Sequence, residues 1–349
     1  MLRFFSSNPL FRGILSLLYR PNKNLQINCF GHSFIHPFGS AAGLDKRAEA
    51  LRGWEAIGLS FIEIGGITEH EQGGNPKPRM FRANSSRSLV NRMGFNNPGS
   101  QKVAAKLAHH FSRHGSPNAS LWANLGKSKV TSLSDAPSDY ATTMNRLWNY
   151  CDIFVINVSS PNTPNLRELQ HDDALESVIQ ACQVVNSRNA DESNTQTKPL
   201  LIKIAPDVTD EQLSAIVTTA RSAGCDGIIA TNTTIERPEN YPSSEQKVFT
   251  QEGGLSGAPL RQRSTSVISQ IYSMTNGEWP IVGVGGILSA EDAWEKIGAG
   301  ASLLQAYSGF VFEGPSLSKS VVNGLDKKLR EHGFKNLEEA VGFSHRSTD

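Results

Sequence analysis

Residues 153–166 read IFVINVSSPNTPNL. An apolar, β-branched run suited to a buried strand breaks off into two serines, two prolines and three asparagines. A polar turn would account for the pattern. So would an active site at the carboxyl end of a barrel strand, where functional side chains gather. The rest of the chain decides between them.

Seven more runs of the same kind occur. They are FGSAAGL (38–44), FIEIGGI (61–67), LWANLG (121–126), PLLIKIAP (199–206), DGIIATNT (226–233), WPIVGVGGI (279–287) and ASLLQAYSG (301–309), with DIFVINVS (152–159) fourth in chain order. Helical patterns lie between them. TDEQLSAIVTTARSAG (209–224) opens on a Thr cap and closes on Gly224, and SAEDAWEKIGAG (289–300) follows the same grammar. Strands alternating with helices pair in parallel, and eight such units predict an α/β protein with a (β/α)8 TIM barrel. A doubly wound open sheet is the alternative fold, although no GxGxxG follows the first strand.

Two connections exceed what a simple barrel needs. One holds EQGGNPKPRMFR and NRMGFNNPG; the other is ERPENYPSSEQKVFTQEGGLSGAPL (236–260). Both are expected to be lids or binding loops. The polar stretch 186–198, NSRNADESNTQTK, has no apolar anchor and is expected to be a mobile surface loop. Before the first strand, Asn8 can cap a helix and Pro9 suits its first position. Leu10, Phe11, Ile14, Leu15 and Leu18 then share one face. Such a helix either packs on the barrel or lies on a membrane surface.

The chain has 349 residues, 38% hydrophobic and 19% charged, as in soluble globular proteins. Lys+Arg 34 against Asp+Glu 33 leaves +1, which argues against a nucleic-acid partner. Cys29, Cys151, Cys182 and Cys225 are scattered without metal-ligand spacing, so they read as reduced thiols, and no metal is expected. His109, His110, His114 and His171 fall outside the strand ends and read as surface residues.

The strand ends carry a common chemistry. Lys46, Asn124, Asn157, Ser160, Asn162, Lys203, Thr231 and Asn232 all finish predicted strands. Several asparagine amides can read a flat heterocycle with alternating N–H and C=O groups. One lysine could hold a carboxylate and another could stabilise a reduced, anionic ring. No His, Asp or Glu stands as an obvious base, which leaves Ser160, with Thr163 as an orienting partner. GVGG (283–286) and YSG (307–309) follow strands seven and eight, where barrels commonly bind phosphate, and GGLSG (253–257) could close that pocket.

Taken in order, AAGLDK, EIGG, NRMGFNN, NVSSPNTPNLREL, KIAPD, ATNTT, GGLSGAPL, GVGGI and YSG resemble the dihydroorotate dehydrogenases, class 2, from about residue 27 to about 325. That resemblance implies an FMN enzyme oxidising dihydroorotate to orotate in pyrimidine synthesis, with a quinone as final electron acceptor. It implies a barrel domain over 27–349 and peripheral contact at the cytoplasmic side of the cell membrane, with a soluble cytoplasmic protein as the alternative if the N-terminus cannot anchor. Class 2 enzymes place two helices before the barrel, whereas residues 1–26 are expected to form an abbreviated N-terminal helical extension with room for one. Ser160 matches the catalytic base. Lys46, Asn91, Arg92, Met93, Gly94, Phe95, Asn157, Asn162, Asn232 and Thr233 match the substrate site. Ala42, Gly43, Gly66, Asn124, Asn157, Lys203 and Thr231 match contacts of the flavin, and Gly257, Gly285, Gly286, Tyr307 and Ser308 its phosphate cradle. Arg82 matches a residue at the quinone entrance. Two positions depart from the family: Gly66 stands where Ser or Thr is usual, and Ala48 where glycine is usual. Another dihydropyrimidine as substrate, or a catalytically silent phosphate-binding barrel, are the alternatives.

Overall fold

The computed structural model describes residues 8–163, 165–170 and 172–346; His171 lies outside them. Eight parallel strands close on themselves: β1 Phe38–Asp45, β2 Phe61–Ile67, β3 Ser120–Leu125, β4 Ile153–Asn157, β5 Leu200–Ile204, β6 Gly227–Ala230, β7 Ile281–Val284 and β8 Leu303–Ala306. Leu304 of β8 pairs with Phe38 of β1, which closes the barrel and excludes the open doubly wound sheet. Each strand overlaps a run named above. All residues of β2, β4 and β5 are buried, because helices cover one face and barrel side chains fill the other.

Local signals set the helices. Thr209 accepts from the Gln212 N–H and Gln212 reaches back to the Thr209 backbone, a capping box that starts Asp210–Ser222 and is worth about 1 kcal/mol. Ser289 caps Ala290–Gly298 through the Asp292 N–H. Asn8 caps Pro9–Tyr19 in the same way.

The amino end of the barrel is stoppered. A hairpin, Ile27–Cys29 with His32–Phe34, lays Phe34 edge-on against Phe61 and Trp122 at centroid distances of 5.6 and 6.1 Å. Phe61 and Trp122 stack at 4.3 Å inside.

The two long connections are ordered together. Ser88–Asn91 is the middle strand of an antiparallel sheet flanked by Met80–Ala83 and Gly254–Gly257, so the insertions after β2 and β6 form one lid. Its register sets Asn91 opposite Gly254 and Ser88 opposite Gly257. Residues 186–198 correct an expectation. The helix Asp172–Ser193 runs through the first eight of them. Asn186 is buried and supplies the missing anchor: it accepts from Trp148 Nε1 (3.1 Å) and Lys198 N (2.9 Å) and donates to the Lys198 carbonyl (2.7 Å).

His109 and His114 are exposed and His110 partly so. The four cysteines are buried and unpaired. Burial pushes the Cys29 and Cys182 thiols up to about 12, so they hold their protons.

Candidate active site

At the carboxyl ends of the strands lies a cavity walled by residues from most of the strands and from the lid. β1 ends in it with Ala42, Gly43 and Lys46; β4 with Asn157, Ser160 and Asn162; β5 with Lys203; β6 with Thr231, Asn232 and Thr233. The lid adds Asn91, Met93, Gly94 and Phe95.

A chain of amides joins these elements. Asn232 Nδ2 donates to Asn157 Oδ1 (3.3 Å), and Asn157 Nδ2 donates to Asn124 Oδ1 (2.9 Å). Asn124 Nδ2 in turn donates to Glu63 Oε1 (2.6 Å). On the other flank Asn162 Nδ2 donates to Asn91 Oδ1 (3.2 Å), tying the loop after β4 to the lid. Asn124 therefore sits one layer behind the cavity wall and orients Asn157.

Glu63 was not singled out from the sequence, yet it is fully buried at the centre of this network. It also accepts from the Ala42 N–H (3.0 Å) and pairs with Lys203 Nζ (3.4 Å). A contact between β2 and β5, which are not neighbours in the sheet, can only cross the barrel interior. A lone carboxylate inside FIEIGGI was the available signal, since a buried charge needs a partner. Gln305 on β8 was missed as well. Both its amide atoms are buried without a hydrogen-bond partner, and it lines the cavity.

Ser160 is buried, and its Oγ accepts from the Asn162 N–H at 3.3 Å; Thr163 takes no part in that bond. An N–H aimed at the oxygen favours negative charge there. Burial pulls the Lys46 ammonium down to about 8, and Arg79 adds to the effect.

The opposite end of the cavity is backbone. Gly257, Gly285 and Gly286 have φ of +101°, +128° and +72°, conformations that glycine adopts without strain. A Cβ on Gly286 would lie 2.6 Å from Arg261 Cβ, so the close packing also requires glycine. Ser308 and Ser256 bond through their hydroxyls (2.9 Å), and Tyr307 rises beside Gly43.

Several expected positions behave differently. Arg92 turns away from the cavity, its guanidinium stacked over Phe81 (4.7 Å) and bonded to Gln251 (3.1 Å), because neighbouring residues on an extended segment face opposite ways. Gly66 lines the cavity, and the Phe95 ring fills the space a side chain would need, 2.6 Å from a Cβ built there. Ala48 is buried with φ +50°, the left-handed conformation that explains a glycine preference. Arg82 lies over the Phe312 ring at 4.4 Å, outside the cavity.

The sequence profile of the dihydroorotate dehydrogenases matches residues 24–329. The chain belongs to this family. It is 45% identical over 339 residues to a dihydroorotate dehydrogenase (quinone) of Gloeobacter violaceus, covering 97% of this chain and 91% of that one. A Streptomyces avermitilis protein of the same description is 42% identical over 348 residues, with 99% and 93% covered. Among solved structures, Eimeria tenella DHODH in complex with ferulenol superposes with a TM-score of 0.87 at 36% identity, over 97% of this chain and 96% of that one. Enzymes of this family are oxidoreductases and flavoproteins.

Proposed function

We propose that this protein oxidises dihydroorotate to orotate, with FMN as the bound flavin and a quinone as the final electron acceptor. One observation carries the reading. A single cavity joins a wall of amides, two lysines and a buried serine to a cradle of glycines, as a flavin mononucleotide with a pyrimidine beside it requires.

The residues present fit FMN. The orphaned Gln305 amide awaits a polar, planar partner, and the glycine cradle brings backbone N–H groups within reach of a phosphate. Ala42, Gly43, Lys203 and Thr231 would hold the ring system, and Gly257, Gly285, Gly286, Tyr307 and Ser308 the phosphate. Bound there, FMN supplies a hydride acceptor that can pass electrons onward. Lys203 offers positive charge beside the ring, held in place by Glu63. Asn91, Asn157, Asn162 and Asn232 present donors and acceptors to the pyrimidine. Lys46 takes the substrate carboxylate, and the buried Ser160 removes the C5 proton.

An apolar groove supports the quinone. Phe11, Ile14, Leu15 and Leu18 of the N-terminal helix face Leu44, Trp54 and Phe310 of the barrel. Leu44 and Phe310 adjoin Gly43 and Gly309 of the cavity wall, so groove and cavity are neighbours. No helix among the described residues is long and apolar enough to cross a membrane. Leu10 and Leu17, 70% and 80% exposed, suit peripheral contact with a membrane surface, where a quinone dissolves.

Anaerobic dihydroorotate should bleach the yellow protein, and quinone should restore the colour faster than fumarate or NAD. Faster return with fumarate or NAD overturns the quinone assignment; no bleaching overturns the substrate.

A further inference from the structure

Lys296 stands apart from the groups used so far. It is completely buried on the helix Ala290–Gly298, and among the described residues it makes no ion pair. Its Nζ donates only to neutral oxygens: Ser264 Oγ and Thr265 Oγ1, each at 3.0 Å, and the Arg261 carbonyl at 3.4 Å. The nearby Asp292 is committed to Arg261 and to the Leu288 N–H. A buried ammonium without a carboxylate is costly.

Its position suggests what balances it. Ser264 Oγ donates to the Val284 carbonyl (2.6 Å), and the Ser264 Cβ lies 2.9 Å from where a Cβ on Gly285 would stand. The amine is thus one side chain behind the glycine cradle. It also sits at the first turn of the helix Arg261–Met274, where the helix dipole disfavours a cation unless an anion is close.

We propose that Lys296 is a buried counter-charge for the phosphoryl group of the bound flavin, acting through the cradle without touching it. This positioning role rests on the FMN reading above. Burial pulls the amine down to about 7, against the opposing pull of Asp292 and Glu295, so a nearby dianion would restore its proton.

The test compares FMN with riboflavin, which lacks the phosphate, on the full chain freed of flavin. The wild type should prefer FMN. Lys296→Met should weaken FMN binding about tenfold or more and leave riboflavin binding unchanged, since a charge in a buried, low-dielectric setting acts across an intervening side chain. Lys296→Arg should regain part of the preference. The Met variant leaves no orphan donor, because the Ser264 and Thr265 hydroxyls already donate to carbonyls. An undiminished FMN preference in Lys296→Met overturns the counter-charge and leaves the flavoprotein reading intact. A wild-type chain that takes up neither flavin overturns both. Should the variant not fold, calorimetry of the wild type in two buffers near about pH 7.5 decides. Proton uptake with FMN and not riboflavin is expected from Lys296, set among Arg261, Asp292 and Glu295. Equal uptake overturns the proposal.

Discussion

At one end of the cavity, side chains from β1, β4 and β6 and the lid present amides, an ammonium and a hydroxyl; at the other, three glycines and the start of a helix present bare backbone. The two ends fail differently when altered. A side chain at the first end can be removed with the scaffold intact, so chemistry or substrate recognition is lost while flavin binding persists. A side chain added at the second has nowhere to go, so binding is lost first.

Four experiments can break or sharpen that contrast. Ser160→Ala is expected to slow flavin reduction by dihydroorotate about 10²–10⁴-fold while the protein stays yellow, as stopped-flow absorbance would read. A variant reduced at the wild-type rate removes Ser160 as the base. Gly286→Ala is expected to purify with little flavin, because φ +72° and the Arg261 contact both oppose a Cβ; the left-handed strain alone costs about 1–2 kcal/mol. Flavin content equal to wild type would erase the distinction between the two ends. Third, orotate binding is expected to weaken by up to about tenfold per pH unit above about 8, as Lys46 loses the proton that attracts the carboxylate. Binding that is flat from neutral pH to about 9 would take Lys46 out of substrate recognition. Smallest is Ala48→Gly, which relieves a left-handed alanine and should raise stability by about 0.5–1 kcal/mol, read as a higher melting temperature with activity unchanged.

The barrel was legible because its strands are buried on both faces, which leaves apolar runs such as IFVI (153–156) and LLI (200–202). The strand-end residues were legible for the same reason: their polarity interrupts those runs. Other features depended on partners distant in the chain. Glu63 takes its meaning from Asn124 and Lys203, on two other strands. The lid exists only because Ser88–Asn91 pairs with Gly254–Gly257, more than 160 residues later. Asn186 holds a polar helix in place through Trp148 and Lys198, which composition cannot reveal. Asn91 and Arg92 are adjacent and both polar, and only the fold determines which one faces inward.

Phe34, set edge-on against the stacked rings of Phe61 and Trp122, makes the cylinder a cul-de-sac. A molecule that enters from the rim has no back door, so whatever is formed must retreat along the path of arrival. Fresh reactant and departing product therefore share one doorway, and accumulation of the second holds off the first.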